Sequence, residues 1–418
     1  MQHNLQEQIV HHINNPSELE QLYRKNKSGY ADAFSSVYHT INHLPLAQFW
    51  NERLNYKKDE TISFSKADLI FVLISIFIAG WIVKLPFLFD WNQEEYMTRN
   101  IGFFVFEMIF FFFAWKEKLA FKKMYLPIFI FILSAVFINM LPKNSTSNTL
   151  LLSCIHLPIF LWSIVGYAST GNDFKNPAKR IGFLKFNGDL IVMGAVMAIA
   201  SFLFTIITMG LFKLIGLKIE DFYANYVVIW GLPAIPILAT VLVKQNPHLV
   251  GRVSPIIARI FTPLVFITLF IFLIAIITTG KDPYNDREFL IVFNLMLLGV
   301  MAIILFSLGE INKSSKSKWP LLLLFALSLL TIINDGVALT AIVYRISVYG
   351  ASPNRMAVLG SNVLIISNLI LVSYQLYRVL NSRSNIDDVE KTIARFIPLY
   401  SAWAAIVTFL FPFLFNMK

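Results

Sequence analysis

The stretch DLIFVLISIFIAGWIVKLPFLF (residues 68–89) decides the fold of this chain. It is almost wholly apolar, and Lys84 is its one basic residue. As an α-helix rising about 1.5 Å per residue, it is long enough to cross a hydrocarbon core about 30 Å thick. The stretch therefore predicts a transmembrane helix.

Apolar segments of similar length recur to the end of the chain, separated by short polar loops. We predict about eleven spans, at residues 68–89, 101–115, 125–141, 150–168, 189–214, 224–243, 260–279, 289–309, 320–344, 356–377 and 397–415. The second is short for a full crossing, and we expect it to lengthen into residues 97–100 and 115–118. The predicted fold is an all-α, polytopic transmembrane helical bundle over residues 67–418.

Composition supports lipid as the solvent for most of the chain. Hydrophobic residues make up 56% and charged residues 14%, with a mean hydropathy of +0.63, whereas soluble domains carry about 25% charged residues. The net charge of +10 does not indicate nucleic-acid binding, because the basic residues form short clusters between apolar runs rather than a stripe. Cys154 is the only cysteine, which excludes an intrachain disulfide.

Residues 1–66 form a separate polar region, which we predict to be a small cytoplasmic helical region. Asn15, Pro16 and Glu18 have the order of a helix N-cap, a first-turn proline and a first-turn acid. Val37 and Trp50 supply apolar surface. The region has no early apolar core, so we expect no cleaved signal peptide.

Orientation follows from the distribution of Lys and Arg. One set of alternate loops, including the loop before the first span, carries more than twice as many of these residues as the other set. Cytoplasmic loops are enriched in Lys and Arg. This bias predicts a cytoplasmic N-terminus, and an odd number of spans then predicts an extracytoplasmic C-terminus.

The ninth and tenth spans carry polar residues at helical spacing. On the ninth, about one third of the helix circumference holds Ser328, Thr331, Asn334, Asp335 and Arg345; on the tenth, Ser361, Asn368 and Gln375 repeat every seven residues. We expect the two helices to face each other or to line a wet cavity, with a break or kink near residues 334–336. A substrate or proton pathway and simple interhelical hydrogen bonding both fit this pattern.

Two other ionisable residues lie within predicted spans. Glu107 must face the protein interior, hold a proton, or pair with a cation such as Lys84 or Arg99. His156 shares the fourth span with Pro158. Prolines within membrane helices accompany the broken helices of transporter sites, and they are also tolerated without such a role.

Two predicted outer loops concentrate charge. The loop at 280–289 holds Asp282, Asp286, Arg287 and Glu288, which could bind a cation or a phosphate headgroup, or pair with one another. The loop at 90–95 holds three acids, in the place where glycosyltransferases that use lipid-linked sugars carry a catalytic acid. The chain contains no cofactor motif and no metal motif, so we expect neither a cofactor nor a metal, and catalytic residues are not identifiable.

Two stretches carry a resemblance to a known family. The segment GKDPYNDREFLIVFNLMLLG (residues 280–299) and the segment FWNERLNY (residues 49–56) resemble an uncharacterised group of bacterial inner-membrane proteins, domain of unknown function 4153. The resemblance implies a multi-pass protein of the bacterial cytoplasmic membrane. It implies no activity, substrate or catalytic residue.

Three functions remain open on these grounds. The leading hypothesis is a transporter or permease for an ion or small molecule, with a polar pathway through spans nine and ten. The second is a membrane enzyme acting on a lipid or lipid-linked substrate at the outer loops. The third is a non-catalytic assembly or signalling partner. The sequence does not indicate an oligomeric state.

Overall fold

A computed structural model describes residues 2–55, 65–144, 146–171, 173–214, 217–247, 253–279, 297, 299–308 and 318–417. The chain divides into two compact units, Met1–Ser63 and Phe64–Lys418. Every regular element in the described residues is a helix. The all-α fold class is confirmed.

The described residues of the first unit form four helices: α1 (Gln2–His11), α2 (Pro16–Lys25), α3 (Lys27–Ile41) and α4 (Pro45–Asn55). The predicted cap of α2 is confirmed, because the Asn15 side chain accepts hydrogen bonds from the amides of Ser17 and Glu18. Trp50, Tyr30 and Phe34 pack together in a buried core. This unit therefore has a hydrophobic core of its own.

The helices of the second unit are α5 (Lys66–Leu88), α6 (Gln93–Asn100), α7 (Phe106–Lys116), α8 (Phe121–Met140), α9 (Asn148–Ser169), α10 (Pro177–Leu214), α11 (Glu220–Phe222), a π-helical segment (Tyr223–Val228), α12 (Ile229–Gln245), α13 (Val253–Thr279), α14 (Gly299–Leu308), α15 (Trp319–Tyr349), α16 (Pro353–Leu380), α17 (Ile386–Arg395), α18 (Ile397–Phe409) and α19 (Phe411–Leu414). Helix α15 packs on α16, α18 on α9, and α5 on α12.

Eight segments in the described residues are long and apolar enough to cross a bilayer, and shorter apolar helices accompany them. Their outer faces are apolar: on α5, for example, Leu73 and Phe77 are 59% and 58% exposed. Exposed apolar side chains in such density require lipid as their surroundings. The chain is a multi-pass integral membrane protein, and the prediction of about eleven crossings stays a prediction beyond these eight.

The second predicted span differs from expectation. It does not lengthen into one helix, because α6 ends at Asn100 and residues 101–105 form a turn before α7 begins. Gly102 lies at this turn, and a Cβ there would be 3.3 Å from the backbone of Pro158 on α9. The 11 residues of α7 rise only about 17 Å, too little to cross the hydrocarbon core.

Candidate functional site

Helices α15 and α16 form an antiparallel hairpin that holds the largest group of buried polar residues in the described bundle. The short connection between them contains Gly350, whose φ of 76° lies in the region that glycine favours. Both helices turn polar side chains inward. The fully buried ones are Ser328, Thr331, Asn334 and Asp335 on α15 and Asn362 and Asn368 on α16.

The register of the hairpin is given by a hydrogen bond of 2.8 Å from Ser373 Oγ to Ser328 Oγ. Counting about 1.5 Å per residue from this pair, Asp335 and Asn368 lie within about 3 Å of each other along the helix axes. Asn362 lies about one helical turn beyond Asp335. The predicted facing of these two polar stripes therefore brings several of the predicted residues to one level of the bundle.

Some of these groups have ordinary partners. The Thr331 hydroxyl donates to the Leu327 carbonyl at 2.7 Å, and Asn334 Nδ2 donates to the Leu330 carbonyl at 2.8 Å. Asn368 Nδ2 donates to the Tyr400 hydroxyl on α18 at 3.0 Å. The first two bonds lie within α15, and the third joins α16 to α18, as polar residues inside membranes commonly do.

Asp335 differs from its neighbours. Neither of its carboxylate oxygens has a hydrogen-bond partner within the described part of the chain, although the residue is 0% exposed. Asn334 Oδ1, Asn368 Oδ1 and both polar atoms of Asn362 are unpartnered there as well. A buried, unpaired charge is very costly in hydrocarbon, so the carboxylate requires a proton or a cation.

Of the break or kink predicted near residues 334–336, the break is wrong, and the kink stays a prediction. Helix α15 runs without interruption from Trp319 to Tyr349, because its only proline lies in the first turn and no backbone donor is missing from its interior. The Asn334 side-chain amide bonds to a carbonyl one turn earlier in the same helix. Gly336 has open space where a Cβ would lie, so packing does not require a glycine there.

Arg345 is not the counter-ion of Asp335. The two residues are ten positions apart on one helix, which separates them by about 15 Å along the axis. Arg345 is half-buried, and its Nε and one terminal nitrogen have no acceptor among the described residues. It extends the polar face of α15 toward the end of that helix.

Gln375 belongs to a helix end rather than to the Asp335 level. Its side-chain oxygen lies 3.4 Å from the Ser384 hydroxyl, which donates its proton to Asp388 at 2.8 Å. Asp388 forms a capping box with Asn385 at the start of α17. These contacts have a structural role in the turn between α16 and α17.

Glu107 lies in the first turn of α7, where the helix dipole favours a carboxylate. Neither suggested cation pairs with it. The Lys84 ammonium lies 3.6 Å from the ring centre of Tyr226 and donates to the Asn225 carbonyl, and Arg99 pairs with Glu95.

His156 has a local contact. Its Nδ1 lies 2.9 Å from the Leu152 carbonyl one turn earlier on α9. Neither His156 nor Glu107 takes part in a hydrogen bond with the polar residues of α15 and α16 that the structure describes. The four candidates of the 280–289 loop, Asp282, Asp286, Arg287 and Glu288, lie outside the described residues.

The sequence analysis did not identify three buried polar groups. Asn362 is one position from Ser361 but is fully buried, whereas Ser361 bonds to Trp403 on α18. Asp68 pairs with Lys116 at 2.5 Å and accepts from Gln245 at 2.8 Å. Only the cap pattern Ser65-x-x-Asp68 marked Asp68 in the sequence.

The third group surrounds Arg99, whose side chain is 4% exposed. Its guanidinium donates to the carbonyls of Ile138, Leu141 and Pro142 at the end of α8, at 2.7, 2.8 and 3.2 Å, and forms an ion pair of 3.0 Å with Glu95. Nearby, Asn100 and Asn139 exchange side-chain hydrogen bonds. In the described residues, no three His, Cys, Asp or Glu side chains gather as metal ligands.

Comparison with known protein families, with curated proteins and with solved structures gives no match for this chain. The resemblance to the bacterial inner-membrane family stays a prediction. Function has to be argued from the chain's own residues.

Proposed function

We propose that this membrane protein is a transporter in which Asp335 binds and releases a proton or a small cation. One observation carries the proposal: Asp335 is completely buried, and both its carboxylate oxygens lack a hydrogen-bond partner in the described residues. An acid at the centre of a membrane helix costs about 2.5–3.5 kcal/mol on insertion scales. No described contact offsets that cost.

Interhelical hydrogen bonding does not account for the presence of Asp335. Residues that join helices do so through bonds, as the Ser328–Ser373 pair and the Asn368–Tyr400 pair do. Asp335 joins nothing in the described structure. A group that is costly and makes no stabilising contact is best explained by what it binds.

The polar face of α15 is long enough to serve as a pathway. From Ser328 to Arg345 it rises about 26 Å, most of the hydrocarbon thickness. Because Asp335 is sealed from solvent, a proton or cation reaches it only in a second conformation. This requirement is the alternating access of transporters.

Proton and cation flux in proteoliposomes tests the proposal. Liposomes containing the purified protein and a trapped pH-sensitive dye are given an outside-acid gradient, and a parallel set with a sodium-sensitive dye is given a sodium gradient. We expect the wild-type protein to dissipate one of the two gradients and Asp335→Asn to reduce that rate to the level of protein-free liposomes.

Asp90→Asn is the matched control. Asp90 is an exposed acid in the turn after α5, with a φ of 50° that asparagine tolerates. This variant should transport at the wild-type rate. Equal rates for the wild-type protein and Asp335→Asn would remove Asp335 from the pathway, and protein-dependent flux of neither ion would contradict the proposal.

A further inference from the structure

A second site lies at the end of the bundle where α6 begins and α8 ends. A cavity of about 550 Å³ opens there, within the range of pockets that hold small ligands. Its polar wall carries Glu94, Glu95, Arg99 and Lys143, and its apolar wall includes Leu150 and Leu151 of α9.

The charges of the polar wall balance, with two acids against two bases. Arg99 and Glu95 form an ion pair of 3.0 Å, and the Lys143 ammonium lies farther from Glu95, at 3.4 Å. Lys143 is 81% exposed, and Glu94 is exposed and has no ion pair within the described residues. One cation and one carboxylate therefore remain available to a ligand.

Arg99 forms the buried base of the polar wall. Its terminal nitrogens are used by the carbonyls at the end of α8 and by Glu95, and its side chain is 4% exposed. The cation that faces the open part of the cavity is therefore Lys143, beside the exposed carboxylate of Glu94.

The lining of the cavity changes from polar to apolar along the axis of α9. From Ser147, at the start of α9, to Cys154 at the apolar end, the lining descends about 10 Å along the helix. Leu151 and Ile155, on the same helix, are 51% and 52% exposed on the oily face. A ligand with a charged head at the loops can therefore continue into the lipid beside α9.

We infer that this cavity binds a phospholipid whose headgroup carries both a primary ammonium and a phosphate. The exposed Glu94 carboxylate accepts hydrogen bonds from the ammonium, and the Lys143 ammonium donates to the phosphate. An anionic lipid without the ammonium would leave Glu94 facing a negative charge. The site is independent of Asp335 and of the transport proposal.

The single cysteine reports occupancy. Cys154 lies in the cavity wall and is only 6% exposed, so a maleimide reacts with it slowly and a bound lipid slows the reaction further. The purified protein in detergent is alkylated with and without added phosphatidylethanolamine or phosphatidylglycerol, and retained lipid is counted by native mass spectrometry. We expect phosphatidylethanolamine to slow alkylation several-fold and to be retained, with a much smaller effect of phosphatidylglycerol.

Variants separate headgroup recognition from general lipid contact. Glu94→Gln should weaken binding of phosphatidylethanolamine by about tenfold, a typical loss for one charge-assisted contact, and abolish the preference over phosphatidylglycerol. Glu220→Gln is the control, because Glu220 is an exposed acid at the same end of the bundle and does not line the cavity.

Three results would overturn the inference. Equal retention of the two lipids by the wild-type protein would show that the headgroup is not recognised. Unchanged preference in Glu94→Gln would remove the ammonium contact. Protection of Cys154 by soluble glycerophosphoethanolamine as strong as by the lipid would assign the cavity to a water-soluble zwitterion instead.

Discussion

Arg99 and Asp335 are both buried ionisable residues, and their surroundings are opposite. Arg99 donates to three carbonyls at the end of α8 and pairs with Glu95. Asp335 has no hydrogen bond in the described residues. The first charge completes the structure around it, because it supplies donors to carbonyls that a helix end leaves without partners. The second charge weakens the structure that holds it.

The difference distinguishes a buried charge with a structural role from a buried charge that needs a ligand. A buried charge that is paired and donates to several carbonyls needs no ligand to explain it, and its removal leaves those partners unsatisfied. A buried charge without bonds imposes a desolvation cost, and its removal relieves that cost. Stability measurements on matched variants can therefore test the two interpretations without knowledge of a substrate.

The largest expected effect is the loss of Arg99. Arg99→Met keeps the apolar stem and removes the guanidinium, which leaves the Ile138, Leu141 and Pro142 carbonyls without their donor. We expect the free energy of unfolding in mixed detergent micelles to fall by about 3 kcal/mol, as for other broken buried charge contacts. A loss below about 1 kcal/mol would mean that water or lipid already serves these carbonyls.

The next effect has the opposite sign. Asp335→Asn removes a carboxyl group that must take up a proton or a cation before it can be buried, and we expect the free energy of unfolding in the same micelles to rise by about 1 kcal/mol. Combined with lost flux, this gain would show a residue retained at the expense of stability. A clear destabilisation would reveal a structural partner for the carboxylate.

A smaller effect is expected at the Ser328–Ser373 pair. Ser373→Ala removes one hydrogen bond between α15 and α16, and such bonds in membrane proteins contribute about 0.6 kcal/mol. Unfolding should become easier by about that amount while ion flux stays at the wild-type rate. Loss of flux in this variant would place the serine pair in the pathway rather than in the helix contact.

The smallest effect concerns an ion pair in water. Hydrogen bonds from Arg24 and Arg53 lower the pKa of Glu20 in the first unit. Because the pKa is lower in the folded protein, the pair stabilises above the ordinary glutamate pKa, and this contribution is lost as the pH falls through the lowered value.

Hydrogen exchange of the full chain measures this last effect. Protection of amides in α2 and α4 should differ slightly between the wild-type protein and Glu20→Gln at neutral pH, and the difference should vanish at acid pH. A difference that persists at acid pH would show that the glutamine disturbs packing rather than charge. Exposed pairs of this kind contribute little, which is why this effect comes last.

Periodicity predicted part of the candidate site well. The helical repeat on α15 and α16 correctly turned Ser328, Asp335 and Asn368 toward the interior. It did not identify Asn362, because a single asparagine one position off the repeat has the same pattern as a lipid-facing or loop-facing residue. Burial against α15 and its neighbours distinguishes it, and burial depends on residues far away in the chain.

The same limit applies to breaks in helices. Asn334-Asp335-Gly336 has the composition of a helix break, yet α15 continues through it. The turn at residues 101–105 has no proline and only one glycine, yet the helix stops there. Gly102 allows this segment to approach Pro158 closely, and that tertiary contact outweighs the local helix preference.

The sequence alone determined that lipid surrounds most of this chain and that its membrane segments are helices. An apolar run long enough to cross a bilayer must satisfy its backbone hydrogen bonds internally, and only a helix does so within one segment. The tertiary structure decided which polar groups are satisfied. Arg99 donates to carbonyls of another helix, and Asp335 has no partner in the part of the chain that the structure describes, because hydrogen-bond partners in a bundle come from helix packing rather than from neighbours in the sequence.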